Sequence, residues 1–127
     1  MTKQFATTIN CIDGRVQLSV LTWITNTFNV EYVDSITEPG PVKILAEQTN
    51  TTLLASIKNR LDISINKHNS TVITIVAHYD CAGNPVSKEV QMQQMKQTLI
   101  LLRQWFPQIP IHGLWVDETA VVHQLEY

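Results

Sequence analysis

Thr71-Val72-Ile73-Thr74-Ile75-Val76-Ala77 is apolar or β-branched at every position and has no clean polar face. A strand of that composition is usually central and covered on both sides, as in a parallel sheet. His78 follows at its carboxyl edge, then Tyr79, Asp80 and Cys81. Upstream, Leu53, Leu54, Ile57, Leu61 and Ile65 recur at three or four, so the spacing predicts a helix from Leu53 to Lys67, ended by His68-Asn69-Ser70. Downstream, Asn84-Pro85 is a turn, and Ser87 is placed to N-cap a long helix over Glu89 to Phe106. Its apolar positions are Val90, Met92, Met95, Leu99, Leu102 and Phe106. Pro107 and Pro110 bracket the exit, and Ile111 to Val116 predicts a further strand. Asp117-Glu118-Thr119 then turns the chain, so Ala120 to Leu125 can return antiparallel as an edge strand.

The first half alternates in the same way. Phe5 to Ile12 is rich in β-branched residues and predicts the first strand, with Gly14 marking its end. Val16, Val20, Trp23 and Ile24, extended by Leu21 and Phe28, make an amphipathic helical stripe. Val30 to Ile36 suits a second strand. Glu38-Pro39-Gly40-Pro41 is a loop, and Pro41 can open a short helix through Gln48. Thr49 to Thr52 either interrupts that helix or begins the next. Strands alternating with helices imply an α/β fold: a mostly parallel four-stranded sheet flanked by helices, with a C-terminal antiparallel edge strand. No repeat, low-complexity tract or linker divides residues 1–127, so one domain is expected.

Composition excludes several classes. The net charge is −2 over 127 residues, with no basic stripe to recruit a nucleic acid. No apolar run approaches the roughly 18–20 residues of a membrane span. Residues 1–12 lack the apolar core of a secretory signal, which leads to the expectation of a cytoplasmic protein.

The chemistry concentrates in two stretches that each close a predicted strand: Cys11-Ile12-Asp13-Gly14-Arg15 and His78-Tyr79-Asp80-Cys81. They hold both cysteines and one of the four histidines. Two thiolates and an imidazole suit Zn²⁺. One disulfide is the alternative, opposed by the lack of an export signal and the reducing cytosol. In an open α/β sheet ligands bind outside the carboxyl ends of strands where strand order reverses. If the first and third strands are neighbours, Cys11, His78 and Cys81 converge there. Three protein ligands leave a fourth position free, as catalytic zinc sites do.

Cys-x-Asp-x-Arg after a first strand and His-x-x-Cys after a later one resemble the zinc signature of β-class carbonic anhydrases. Ile73 to Ala77 resembles that family's apolar strand, and Ile111-His112-Gly113 with Val116-Asp117 its closing strand and hairpin. The resemblance runs over nearly the whole chain from Phe5. It implies Zn²⁺ on Cys11, His78 and Cys81, an Asp13–Arg15 dyad beside the metal, and reversible hydration of CO₂ to bicarbonate by a zinc-bound hydroxide. It implies a homodimer or higher homo-oligomer as well. Asp13 has two settings in the family, on the metal or drawn back to Arg15. Three features depart from the pattern. Ala82 and then Gly83 follow the second cysteine, where the family has Gly at once. Asp34-Ser35-Ile36-Thr37 stands where it has an Arg-Asn-Ala-Gly type of segment. The chain begins almost at the first strand, where members carry N-terminal helices that embrace a second subunit.

Other readings stay open at this point. The same residues could hydrolyse a CO₂ analogue, carbonyl sulfide or carbon disulfide. They could hold zinc without turnover, or serve as a redox dithiol, which leaves Asp13, Arg15 and His78 unexplained. Asp80 is read as a turn former or as part of a proton path, and Tyr79 as a pocket residue or plain surface. His68 suits a helix end, His112 and His123 read as structural, and Trp23, Trp105 and Trp115 read as packing residues.

Overall fold

A computed structural model describes residues 3–127. The elements in chain order are β1 (Phe5–Cys11), a 3-10 turn (Gly14–Val16), α1 (Gln17–Phe28), β2 (Tyr32–Glu38), α2 (Pro41–Glu47), α3 (Thr51–Lys67), β3 (Ile73–His78), α4 (Lys88–Trp105), β4 (Ile111–Val116) and β5 (Val122–Gln124). The sheet order is β2-β1-β3-β4-β5. The first four strands run parallel and β5 returns antiparallel on β4. This is the expected α/β architecture.

Every residue of β3 is buried, which is why that stretch needs no polar face. Its odd positions Ile73, Ile75 and Ala77 join a core with Ile57, Leu61, Met95 and Leu99 from α3 and α4. Val76 and its neighbour Val72 join a second core with Val20 and Ile24 of α1. Period-two alternation sends successive side chains to opposite faces, so one strand feeds both layers. α1 covers one face while α2, α3 and α4 cover the other.

The helix ends follow the local chemistry. Asn50 caps α3 through its side-chain oxygen on Leu53 N at 3.0 Å, and Ser87 caps α4 through Oγ on Val90 N at 3.2 Å. Pro41 opens α2, where its missing N–H leaves nothing unpaired.

Four expectations shift. β1 stops at Cys11, and Ile12 is exposed. β2 begins at Tyr32 because Asn29 turns left-handed at the end of α1 and Val30 plugs the core instead. β5 is only Val122–Gln124, since Ala120 at φ 64° closes the turn by donating its N–H to Asp117 O at 3.0 Å. On α4, Val90 faces solvent and Gln91 is buried in its place.

Candidate metal centre

Cys11 ends β1 and His78 ends β3. The two strands are neighbours, and their register runs from Thr7–Ile73 to Ile9–Ile75. Beyond that register the strands part, leaving a crevice at the point where strand order reverses. Cys81 enters it from the turn after β3. That turn is made by Asp80 in the left-handed region, at φ 57°.

The three side chains do converge. The Cys11 and Cys81 sulfurs are 3.8 Å apart, and together with a His78 ring nitrogen they lie within 4.8 Å of one another. All three residues are buried, and both cysteines are free thiols. His78 Nδ1 lies 2.8 Å from the Tyr79 carbonyl, which only accepts, so in the neutral ring Nδ1 carries the proton and Nε2 the lone pair. Nε2 is buried and has no hydrogen-bond partner. A buried polar atom without a partner is costly, and a cation held jointly with two thiolates removes that cost. The group could therefore hold a metal ion.

The electrostatics point the same way. Burial pushes the Cys11 thiol up, but His78 alongside and the backbone N–H groups of Gly40 and Asp13 outweigh it, leaving Cys11 at about 7. Burial opposes charge on His78, yet Cys11, the Tyr79 carbonyl and Asp13 draw its pKa upward. Burial and the neighbouring Cys11 raise Cys81, against N–H groups from Gly83 and Asn84. Metal binding at such a site needs both thiols deprotonated and the imidazole neutral, so it is accompanied by release of protons.

Asp13 and Arg15 form a tight pair at the rim. Arg15 Nε reaches both carboxylate oxygens at 3.1 Å and Nη2 reaches Oδ2 at 2.7 Å. This pairing lowers Asp13 to about 2. Asp13 also caps the 3-10 turn by accepting from Arg15 N at 2.8 Å, so it is turned toward Arg15. Arg15 continues to the second motif: Nη2 donates to the Asp80 carbonyl at 2.9 Å, and Nη1 lies 3.4 Å from Asp80 Oδ2. Asp80 is thus a turn former that ties Arg15 to the β3 turn. Tyr79 lines a cavity of about 310 Å³, together with His78, Arg15, Val116 and Asp117.

The close packing behind the ligands is illegible in the sequence. A Cβ on Gly83 would lie 2.7 Å from the Pro39 carbonyl carbon, and one on Gly40 would lie 2.8 Å from Asn84 Cβ. The loops after β2 and β3 therefore touch backbone to backbone, which gives Gly83 its place one residue later than the resemblance implies. Gln17 Nε2 donates to Cys11 O at 2.6 Å, and buried Gln91 Nε2 donates to His78 O at 3.0 Å. Asn84 and Gln94 pair through their amides at 2.6 Å.

The remaining histidines lie outside this group, His123 with its Nε2 2.7 Å from Asp117 Oδ2. His68 Nδ1 meets Asp34 Oδ2 at 2.6 Å at the end of α3, and His112 Nδ1 meets Gln124 Nε2 at 3.1 Å. Trp115 is buried in the core, with Trp105 and Trp23 packed against the two layers.

The sequence profile of a family described as "Putative carbonic anhydrase" matches residues 1–126. No curated protein sequence matches the chain. Among solved structures it is similar to the β-carbonic anhydrase CafA of Aspergillus fumigatus, at 14% identity over 99% of this chain and 76% of that one, with a TM-score of 0.60. It is similar also to CafD of the same fungus, at 16% identity over 99% and 91%, with a TM-score of 0.54. A tetrameric β-carbonic anhydrase of Sordaria macrospora aligns at 10% identity over 100% and 82%, again with a TM-score of 0.54. At such identities the likeness to these structures is one of fold.

Proposed function

Because this chain belongs to the carbonic anhydrase family, we propose that it is a zinc-dependent lyase that reversibly hydrates CO₂ to bicarbonate, with Zn²⁺ on Cys11, His78 and Cys81. The observation that carries the reading is the geometry of the donors. An ion holding two thiolates tetrahedrally at about 2.3 Å keeps them about 3.8 Å apart. The two sulfurs are 3.8 Å apart, and the lone pair of His78 Nε2 is unused beside them. Three protein donors leave one position for water or substrate.

Bound there, Zn²⁺ supplies Lewis acidity that brings the pKa of water from 15.7 to about 7. The protein's own groups do the rest. Asp13, ionised throughout the neutral range, accepts a hydrogen bond from the reacting water and orients its lone pair toward carbon. Arg15 keeps Asp13 charged and turned through its three contacts. Tyr79 and Val116 frame the cavity where CO₂ enters. A cavity of about 310 Å³ exceeds what a linear three-atom molecule needs. That room sustains a second reading, hydrolysis of carbonyl sulfide or carbon disulfide by the same residues.

Zinc analysis and stopped-flow CO₂ hydration test the proposal. The expected result is about one zinc per chain, and for Asp13→Ala retained zinc with a loss of roughly 100-fold in kcat/KM. Protein that binds no zinc under reducing conditions overturns the ligand assignment. Full zinc with no rate above background between about pH 7 and pH 9 leaves a zinc-binding protein without turnover.

The same reading includes one domain over residues 1–127, a homodimer or higher assembly, and a cytoplasmic setting. Assembly finds support in a structural neighbour that is a tetramer. Among the described residues no helix is long and apolar enough to cross a membrane.

A further inference from the structure

We infer that Asn10 and Gln17 are positioning residues, whose side-chain amides stand in for the missing β-ladder at Cys11 and fix this proposed metal ligand relative to Asp13. The inference deepens the proposed centre and rests on it.

Successive residues of a parallel strand turn their backbone groups to opposite neighbours. On the β2 side, Ile12 N donates to Glu38 O at 3.2 Å; on the β3 side, Thr7 N donates to Val72 O at 2.9 Å. The odd-numbered residues of β1 therefore face β3, and Cys11 follows Thr7 and Ile9 in that series. The β1–β3 register ends at Ile9–Ile75, one step before Cys11. Both the N–H and the carbonyl of Cys11 thus reach the seam where the strands have parted, and Cys11 is buried. Buried backbone groups need partners from elsewhere in the chain.

Two amides supply them. Asn10 Oδ1 accepts from Cys11 N at 2.8 Å, and Asn10 Nδ2 donates to Val16 O at 3.1 Å. Gln17 Nε2 donates to Cys11 O at 2.6 Å and to Asp13 O at 3.3 Å. The first amide ties Cys11 to the end of the 3-10 turn. The second gathers the carbonyls of Cys11 and Asp13 on one nitrogen, while Ile12 between them is turned out to solvent, 63% exposed. The loop that carries Asp13 and Arg15 is thereby clamped to the proposed ligand at both ends.

The other lip of the seam is built in the same way. Tyr79 N donates to Val116 O at 2.9 Å, on the β4 side, so the backbone groups of His78 face β1. Its carbonyl takes Gln91 Nε2 at 3.0 Å. An amide suits these places because it offers a donor and an acceptor and carries no charge. It can hold the backbone beside a cation site without competing for the cation.

The test is zinc affinity by chelator competition for wild type, Gln17→Met, Gln17→Lys and Asn10→Ala, each at a temperature where circular dichroism shows it folded. Amide hydrogen exchange of the metal-free proteins, followed by NMR, runs alongside. Met keeps the length of Gln17 without its donors, and Lys restores a donor. Gln17→Met and Asn10→Ala are expected to bind zinc roughly tenfold more weakly, with Gln17→Lys within about threefold of wild type. The Cys11 amide proton is expected to be protected in wild type and in Gln17→Met, and to lose that protection in Asn10→Ala. Unchanged affinity in Gln17→Met and Asn10→Ala overturns the inference. Equal weakening in Gln17→Met and Gln17→Lys assigns the effect to packing and overturns the role given to Gln17. A Cys11 amide that exchanges freely in wild type overturns the role given to Asn10. Should Asn10→Ala fail to fold, the two Gln17 variants decide the matter. A wild type that binds no zinc removes the proposed centre and this inference with it, whereas a zinc-binding wild type with unaffected variants removes this inference alone.

Discussion

Each thiol of the centre is approached by two backbone N–H groups, Gly40 and Asp13 at Cys11, Gly83 and Asn84 at Cys81. Those donors favour the thiolates while burial opposes them, and for Cys81 burial prevails. A cation resolves the conflict, so the site is expected to select for one. Cys81→Ser replaces a soft donor with a weak one. Its zinc affinity, measured by chelator competition, is expected to fall by more than about 100-fold, the upper range for loss of an outer hydrogen-bond partner. Full affinity would remove Cys81 from the ligand set. Asp117 sets a different dependence, on acid. His123 and Thr119 depress its pKa, so its charge contributes stability that is fully present above the unfolded value near 3.9 and is lost as pH falls through the lower folded value. Asp117→Asn is expected to lower the urea midpoint at neutral pH, and the gap from wild type to close as pH falls below about 4. A gap that stays constant would assign the effect to hydrogen-bond geometry instead of charge.

Among the elements, the turns after β2 and β3 and the first turn of α4 matter most, because they hold the strand ends that carry the proposed ligands. Gly83→Ala would set a Cβ 2.7 Å from the Pro39 carbonyl carbon, which cannot move without shifting the loop. Overpacking of this kind costs about 1–3 kcal/mol. Gly113→Ala meets Met95 Sδ at 2.9 Å, but a flexible thioether can give way. Thermal denaturation is expected to rank Gly83→Ala as the more damaging change, with weakened zinc binding as well; the reverse order would mean that the loop yields more easily than the core. Gln91→Leu would leave the His78 carbonyl without its side-chain donor, at about 1–3 kcal/mol, and is expected to lower both the melting temperature and zinc affinity. Intact zinc affinity would confine Gln91 to a role in stability.

These same elements mark the limit of what could be read from the chain. β3 was legible because a strand buried on both faces leaves a continuous apolar run, and α3 because its apolar residues keep helical spacing. Convergence of Cys11 with His78 and Cys81 followed once β1 and β3 were placed side by side. Gln91 was hidden because a buried amide has the composition of a surface residue, and Val90 beside it drew the apolar face one position astray. The contact of Gly40 with Asn84 was hidden because two loops joined only by tertiary packing leave no period in the sequence.

At the scale of the molecule, Cys11, His78 and Cys81 bring together segments far apart in the chain. A ligand bound only by the folded state raises stability by mass action, about 4 kcal/mol when free metal exceeds its Kd by about 1,000-fold. For a domain of this size the melting temperature is then expected to rise by on the order of 10 °C on zinc loading, and chelation to reverse it, as read by differential scanning calorimetry. No shift would mean that the unfolded chain binds as well or that the site stays empty.

Cys11 and Cys81 stand 70 residues apart in the chain yet meet at one point. A ribosome extending the chain at about 5–20 residues per second delivers the first thiol several seconds before the last ligand. Throughout that interval Cys11 has neither His78 nor Cys81 for company, and β1 has no β3 to pair with. The proposed centre therefore forms late, and metal capture there would mark the closing of the β1–β3 seam during biosynthesis.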